Sequence, residues 1–344
     1  ASPKANASPI GGGVPFLNIG FVLMTIELLM VIGFCLAAYS IVGNDVPQTL
    51  GTFISSNSHR PWWVLWVYIS SILVVVLVYG WYASGVGDAS YGRLETIPFP
   101  EGGITWLYIV PPVLLLLLTK YGIPVSTTFL VLTIFSPASL GSMMVKSMMG
   151  YAVAFLAALI IYRFVANKMT VYFNQTKDQE HSTKWVILQW LSTGFLWSQW
   201  LIQDLANIFV YVPRQVPFEF LMFAITVFVI LLGVILYQRG GAIQKIVDTK
   251  TDVTDVRAAT IVDFIYAMIL LVFKEWSNIP MSTTWVFLGL LAGREFAISM
   301  IVNGVSKYRT SRNVSKDAMK LMFGLAMSVF LATTLPWFYN LISG

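Results

Sequence analysis

The chain has 344 residues, of which 57% are hydrophobic and only 11% are charged, and its mean hydropathy is +0.75. A soluble domain carries roughly 25% charged residues, so this composition excludes a soluble globular protein and predicts an all-α integral membrane protein. The net charge of +5 needs no nucleic acid as a partner, because the basic cytoplasmic loops of a membrane protein account for it.

After a polar tail, residues 1–13, apolar segments follow one another to the end of the chain. They are long enough to predict membrane helices rather than the alternating strands of a barrel. The segments lie near 15–42, 62–84, 104–119, 124–137, 150–166, 184–202, 217–238, 259–276, 281–300 and 318–341, which predicts about ten passes. The run 124–137 extends only ~21 Å as a helix, which favours a broken or re-entrant half-helix that starts inside the membrane.

The loops between these segments differ in basic charge, and the difference predicts the orientation of the chain. One set of loops is rich in lysine and arginine, and the opposite set holds only Lys4, Arg93, Lys146 and Arg214. The richer side is expected to be cytoplasmic, so ten passes place both termini outside. The compact chain, without a long central loop, favours a bacterial cytoplasmic membrane.

Two short motifs occur twice in the same order. "GIPVSTTF" and "NIPMSTTW" each place Ser-Thr-Thr just after a proline, at the start of an apolar run. Upstream, "GNDVPQ" contains Asp45 and "QDLAN" contains Asp204. Asp45 precedes Ser126 by 81 positions, and Asp204 precedes Ser282 by 78. The matching order and spacing indicate an internal duplication.

The duplication divides the chain into a first repeat, 14–166, a linker, 167–183, and a second repeat, 184–342. Each repeat has five segments, an odd number, so the second must enter the membrane from the opposite side. Inverted repeats with interrupted helices are typical of secondary transporters, whose substrate site lies near the midplane between the repeats.

Each Ser-Thr-Thr run stands where a helix begins, and serine and threonine are good N-caps. A helix N-terminus attracts anions, since it presents unpaired N–H groups and the positive end of the helix dipole. One such run is also an ordinary helix start, but two converging runs would form a cage for a tetrahedral oxyanion. The predicted substrate ligands at these helix starts are Ser126, Thr127, Thr128, Ser282, Thr283 and Thr284.

The two aspartates are carboxylates flanked by apolar sequence, which are functional by default in a membrane, although a segment-end acid can simply face water. A carboxylate beside an anion repels it, so either a cation lies between them or the acid is protonated. Sodium is the expected cation. Its candidate ligands are Asn44, Asp45, Gln203, Asp204 and Asn207, with Thr52 a weaker candidate.

Other polar residues carry less weight. Glu27 is an isolated acid expected near the membrane surface, and Lys274 and Glu275 are expected to form a local ion pair. The sequence contains no cluster of His and Cys that predicts a transition-metal site. It also pairs no nucleophile with a base and contains no nucleotide-binding loop, so we expect neither an enzyme nor ATP-driven transport.

These motifs together resemble those of the inorganic phosphate transporter (PiT) family of sodium- or proton-coupled phosphate symporters. That family carries two G-A-N-D-V-A-N-like and two P-V-S-T-T-H-like motifs in inverted halves, and the resemblance covers nearly the whole chain. It implies phosphate bound between the two Ser-Thr-Thr helix starts, with Asp45 and Asp204 as two further substrate ligands, in a homodimer whose parts move against each other. The chain departs from the family pattern at Pro47, Gln48, Gln203, Phe129 and Trp285, the last two replacing histidine.

The leading hypothesis is therefore a symporter that imports phosphate. A transporter of sulfate or another oxyanion is the alternative within the same class. A membrane partner subunit that no longer transports is the alternative from another class. The altered cation motifs suit the partner subunit, whereas retention of both acids and all six hydroxyls argues against it.

Overall fold

The computed structural model describes residues 16–84, 87–123, 125–176, 182–241, 243–244, 248, 255–301 and 307–343. Within these ranges every regular element is helical. The predicted tail, residues 1–13, lies outside the described residues, as do Pro124 of the first Ser-Thr-Thr motif and residues 177–181 of the predicted linker.

The helices occur along the chain in the order of the predicted segments. They are α1 (Phe16–Ser56), α2 (Trp62–Ala83), α3 (Val110–Lys120), α4 (Thr133–Phe135), α5 (Leu140–Gln175), α6 (Thr183–Asp204), α7 (Ala206–Phe209), α8 (Phe218–Tyr237), α9 (Val256–Trp276), α10 (Thr283–Ile301) and α11 (Lys307–Ser343). Short 3-10 turns at Trp106–Ile109 and Pro137–Ser139 precede α3 and α5, and a π-helical turn at Thr128–Leu132 precedes α4.

Six helical stretches of the described residues are long and apolar enough to cross a membrane. They are Glu27–Ser56, Trp62–Ala83, Pro137–Arg163, Phe218–Tyr237, Val256–Trp276 and Lys307–Tyr339. The other four predicted segments are also helical, but α6, α10 and the pieces Trp106–Lys120 and Thr128–Phe135 fall outside those limits. The structure thus supports six such helices, fewer than the ten passes that we predicted.

Two helices extend beyond their predicted ends. α1 continues to Ser56 through Pro47, so Asp45 lies within a helix rather than at its end. α5 begins at Leu140, so Lys146, which we had assigned to a loop, is helical and only 4% exposed. The sequence criterion ends a membrane segment at its first strongly polar residue. It therefore misses a helix whose polar side chains are buried against other helices.

Close helix packing joins the two halves of the chain. α5 packs along α10, and α11 packs against Thr128–Phe135, so the last helix of each half covers the Ser-Thr-Thr helix of the other. A Cβ atom on Gly289 or Gly293 of α10 would lie 2.4 Å or 2.1 Å from a backbone carbonyl oxygen of α5. Small residues allow such approach between membrane helices. Both Ser-Thr-Thr runs are buried as a result.

Candidate functional site

The two Ser-Thr-Thr runs begin their helices in the same way. The hydroxyl of Ser126 accepts a hydrogen bond of 3.2 Å from the backbone N–H of Phe129. The hydroxyl of Ser282 accepts one of 3.3 Å from the N–H of Trp285. Each serine thus bonds the N–H three residues later, which is the geometry of an N-cap. The predicted capping role is confirmed for both serines.

The third hydroxyl of each run reaches across to the other run. Thr128 donates a hydrogen bond of 3.1 Å to the carbonyl of Met281, the residue before Ser282. Thr284 donates one of 3.3 Å to the carbonyl of Val125, the residue before Ser126. These reciprocal bonds join the two helix starts directly. The convergence expected from the repeated motif is therefore present.

Asp45 is bound to the first run. Its Oδ1 accepts a hydrogen bond of 2.6 Å from Asn44 Nδ2, and its Oδ2 accepts one of 2.8 Å from the hydroxyl of Thr127. The same Asn44 nitrogen also donates to the carbonyl of Val125, at 3.0 Å. Asn44 and Thr127 therefore fix this carboxylate beside the N-terminus of the first Ser-Thr-Thr helix.

Asp204 joins the same cluster through Asn207. Its Oδ1 accepts a hydrogen bond of 2.7 Å from Asn207 Nδ2, which also lies 3.2 Å and 3.3 Å from the hydroxyls of Thr127 and Thr128. Asp204 is close enough to Asp45 for the two charges to repel each other, and Thr283 lies beside it. Residues from α1, α6, α7 and both Ser-Thr-Thr runs thus form one cluster.

The cluster is closed to solvent. None of the eight predicted substrate ligands has more than 3% of its surface exposed. Ionised carboxylates are unfavourable in such surroundings unless hydrogen bonds or cations compensate them. The site residues are therefore enclosed by protein in the conformation described here.

The predicted sodium ligands divide into two groups. Within the described part of the chain, Asp204 Oδ2 and Asn207 Oδ1 are buried oxygens without a hydrogen-bond partner, and they fit a cation. Gln203 does not fit one. Its Oε1 accepts a hydrogen bond from Arg93, and its Nε2 donates one of 3.0 Å to the carbonyl of Leu270. Both oxygens of Asp45 already have donors.

Three buried charged residues were not singled out from the sequence. Arg93 and Lys146 were counted only as loop charges, because a sequence does not show which loop folds inward. Asp263 of α9 accepts hydrogen bonds from the hydroxyls of Thr52 and Thr193. Its signal was visible, since it is an acid flanked on both sides by apolar residues in the segment 259–276. Thr52, a weak sodium candidate, thus binds a carboxylate on another helix.

Two minor expectations have clear outcomes. Lys274 and Glu275 form the predicted ion pair, with Nζ 2.7 Å from Oε1. Glu27 is exposed at the beginning of the membrane-spanning part of α1, away from the aspartate cluster. Neither observation adds a residue to the site.

Comparison with known proteins gives one informative result. No family model matches the sequence, and no curated protein matches it. Among solved structures, a sodium-dependent phosphate transporter superposes with a TM-score of 0.58 over 92% of this chain and 100% of its own, at 16% sequence identity. This chain has that transporter's fold. The resemblance drawn from the motifs is thus confirmed as a likeness of fold, and together with the six apolar helices it shows an integral membrane protein.

Proposed function

We propose that the protein is a secondary active symporter that imports inorganic phosphate across a bacterial cytoplasmic membrane, coupled to sodium or protons. The observation that carries this proposal is the reciprocal pairing of the two Ser-Thr-Thr helix starts, with Asp45 and Asp204 beside them, in a closed cluster. The fold shared with a sodium-dependent phosphate transporter supports the same conclusion.

The hydroxyls suit a tetrahedral oxyanion. Ser126 and Ser282 accept bonds from their own helices, and their hydroxyl protons are available to a ligand. Thr127, Thr128 and Thr284 donate to acceptors within the protein, and an incoming anion would replace those acceptors. Two helix N-termini that meet at one place add their partial positive charge. The arrangement therefore supplies donors from two opposing directions.

In this proposal a mobile cation binds beside the anion. Asp204 Oδ2 and Asn207 Oδ1 offer oxygens for sodium, while Asn44 and Asp45 could contribute after their hydrogen bonds rearrange. The bound ion would supply the positive charge that separates carboxylate from anion. A proton on either aspartate would serve the same electrostatic purpose, and it remains the alternative coupling ion in this proposal.

Phosphate is favoured over sulfate by proton chemistry. Monohydrogen phosphate can donate a hydrogen bond to an ionised aspartate, whereas sulfate carries no proton at neutral pH. A site with two carboxylates therefore binds more tightly the anion that can donate a hydrogen bond. Sulfate or another oxyanion is the second candidate substrate, because the hydroxyl cage itself accepts any tetrahedral anion.

Transport by alternating access would open the cluster to one face at a time. The exchanged packing, in which the last helix of each half covers the Ser-Thr-Thr helix of the other, supports two inverted repeats, 14–166 and 184–342. A cavity of about 350 Å³, lined by Tyr39, Gly43, Thr119 and Lys120 among others, lies next to Asn44 and offers a route for water. A homodimer with both termini outside completes the proposal.

Uptake of radiolabelled phosphate into liposomes that contain the purified protein tests the proposal. The uptake is measured with an inward sodium gradient, an inward proton gradient or neither, and with sulfate as competitor. Uptake that depends on a gradient and resists sulfate supports a phosphate symporter. Uptake blocked by sulfate reassigns the substrate. No uptake by folded protein under any gradient would favour the membrane partner subunit.

A further inference from the structure

Arg93 stands in a turn whose backbone is held in an unusual conformation. Tyr91 and Gly92, just before it, have φ values of 59° and 72°, in the left-handed region that a tyrosine rarely adopts. The carboxylate of Asp88 accepts hydrogen bonds of 2.7 Å from the backbone N–H groups of Ser90 and Gly92. These bonds offset the strain at Tyr91 and fix the place where Arg93 turns inward.

The guanidinium of Arg93 contacts the chain beside Asp204 and the chain ahead of Ser282. Its Nη2 donates to Gln203, the neighbour of Asp204, and to the carbonyl of Ile279, three residues before Ser282, at 3.3 Å. The residue is 1% exposed, and within the described ranges its Nε and Nη1 have no hydrogen-bond partner. Buried donors normally find partners, so these two nitrogens are available to a ligand.

Lys146 adds a second positive charge on the same backbone segment. Its Nζ donates hydrogen bonds of 2.6 Å and 2.7 Å to the carbonyls of Ser277 and Ile279. Arg93 and Lys146 thus share the Ile279 carbonyl. They are close enough to repel each other, while Arg93 and Asp204 attract. The protein holds two cations together just ahead of a Ser-Thr-Thr helix start, which is an arrangement suited to an anion.

Arg93 and a protonated Lys146, both buried, offset the two negative charges that Asp45 and Asp204 carry when ionised. We propose that Arg93, supported by Lys146, is a fixed cation of the anion site that takes the place of one mobile coupling cation, so that phosphate binds without sodium. This inference rests on the proposed function, because it concerns the same anion.

Binding of inorganic phosphate to the purified full-length protein tests the inference directly. The affinity is measured by titration calorimetry at one pH, with sodium or with N-methylglucamine as the only added cation. The variants are Arg93→Gln, Arg93→Lys and, as a matched control, Arg214→Gln. Arg214 is also a loop arginine, but its donors go to the carbonyls of Ile97, Val210 and Val212 rather than to the site.

We expect wild-type protein to bind phosphate in sodium-free buffer. Arg93→Gln should lose about 10- to 100-fold in that affinity, as expected for the loss of a charge-assisted hydrogen bond, and sodium should restore part of the loss. Arg93→Lys should keep most of the affinity, and Arg214→Gln should keep all of it.

The contrary outcomes separate the two proposals. Wild-type protein that binds phosphate only when sodium is present would overturn the role of Arg93 and leave the symporter intact. Equal losses in Arg93→Gln and Arg214→Gln would assign Arg93 a structural role and likewise overturn the inference. Folded wild-type protein that neither binds nor transports phosphate in any buffer would overturn the proposed function as well.

Discussion

The rings of Phe129 and Trp285 pack edge to face, with centroids 5.5 Å apart and planes inclined at 84°. Each residue directly follows one Ser-Thr-Thr run. Both rings are buried, at 0% and 6% exposure. An apolar contact in the core thus joins the two helices directly after their hydroxyl runs.

Removal of this contact should loosen the site. Phe129→Ala leaves a cavity between the two helices, and large-to-small core changes of this kind cost about 3–5 kcal/mol of stability. We expect a clear fall in the thermal midpoint and weaker phosphate binding. Phe330→Ala, which truncates a side chain that is 57% exposed, is the matched control and should change neither quantity. An equal fall in both variants would contradict the structural role of the pair.

Neutralisation of the two acids should abolish uptake without unfolding the protein. Asp45→Asn and Asp204→Asn keep the size of each side chain but remove the charge that a coupling ion needs. Glu275→Gln, which neutralises an exposed acid, should leave uptake unchanged. Radiolabelled uptake is measured beside gel filtration and thermal unfolding. Full uptake by a stably folded double variant would refute the assignment of both residues.

The two serines should affect the anion more than the coupling ion. Ser126→Ala and Ser282→Ala each remove an N-cap, so we expect a loss of about 1 kcal/mol of stability per site. They also remove two donors from the anion cage, so phosphate affinity should fall while the sodium or proton dependence of uptake stays the same. A selective loss of sodium dependence with unchanged phosphate affinity would reverse this division of roles.

The contact between α5 and α10 should tolerate no residue larger than glycine at position 293. In Gly293→Ala the new Cβ would lie 2.1 Å from the carbonyl oxygen of Phe155, so the two helices must separate. We expect a large loss of thermal stability and of uptake. Gly141→Ala is the control on α5, since a Cβ there meets nothing within 4 Å. Wild-type stability of Gly293→Ala would show that this helix pair is less closely packed than described.

Acid pH should weaken the start of α9, the helix that carries Asp263. Burial raises the pKa of Asp255, but hydrogen bonds from the side chain and backbone of Arg257 more than compensate, so the pKa lies below its ordinary value of 3.8. The ionised form is therefore favoured by folding. Its contribution is present above the unfolded pKa and is lost as the pH falls through the lowered folded value.

Asp255→Ala tests this expectation by thermal unfolding at several pH values. At neutral pH the variant should lose about 1 kcal/mol, the usual contribution of an N-cap, and also the ion pair of 2.7 Å with Arg257. The difference from wild type should begin to shrink as the pH falls below 3.8, the ordinary pKa, and should be smallest below the lowered folded pKa, where the cap is protonated in both the folded and the unfolded chain. A difference that stays constant with pH would mean that the charge of Asp255 contributes nothing.

The sequence predicted the residues of the site better than their partners. Asp45, Asp204 and the Ser-Thr-Thr runs stood out because they are polar, lie at apolar segments and occur twice. Arg93 and Lys146 lacked that signal, since a cation in a short polar stretch looks the same whether it faces water or folds inward. Their place depends on contacts with Gln203 and Ile279, more than a hundred positions away.

Helix ends were the least predictable part of the fold. Asn44 and Asp45 were expected at the end of a segment, yet α1 continues through Pro47 to Ser56. A buried polar face provides the partners that water would otherwise supply, so a helix can continue past the point where its hydropathy falls. The order of the helical segments, by contrast, follows from apolar run length alone.

The crossed hydrogen bonds of Thr128 and Thr284 mean that the site belongs to neither half of the chain. Each half supplies a hydroxyl whose acceptor is a carbonyl on the other half, so a half expressed alone would lack both the acceptor and half of the cage. Two separately expressed halves should regain a ligand site only when they associate.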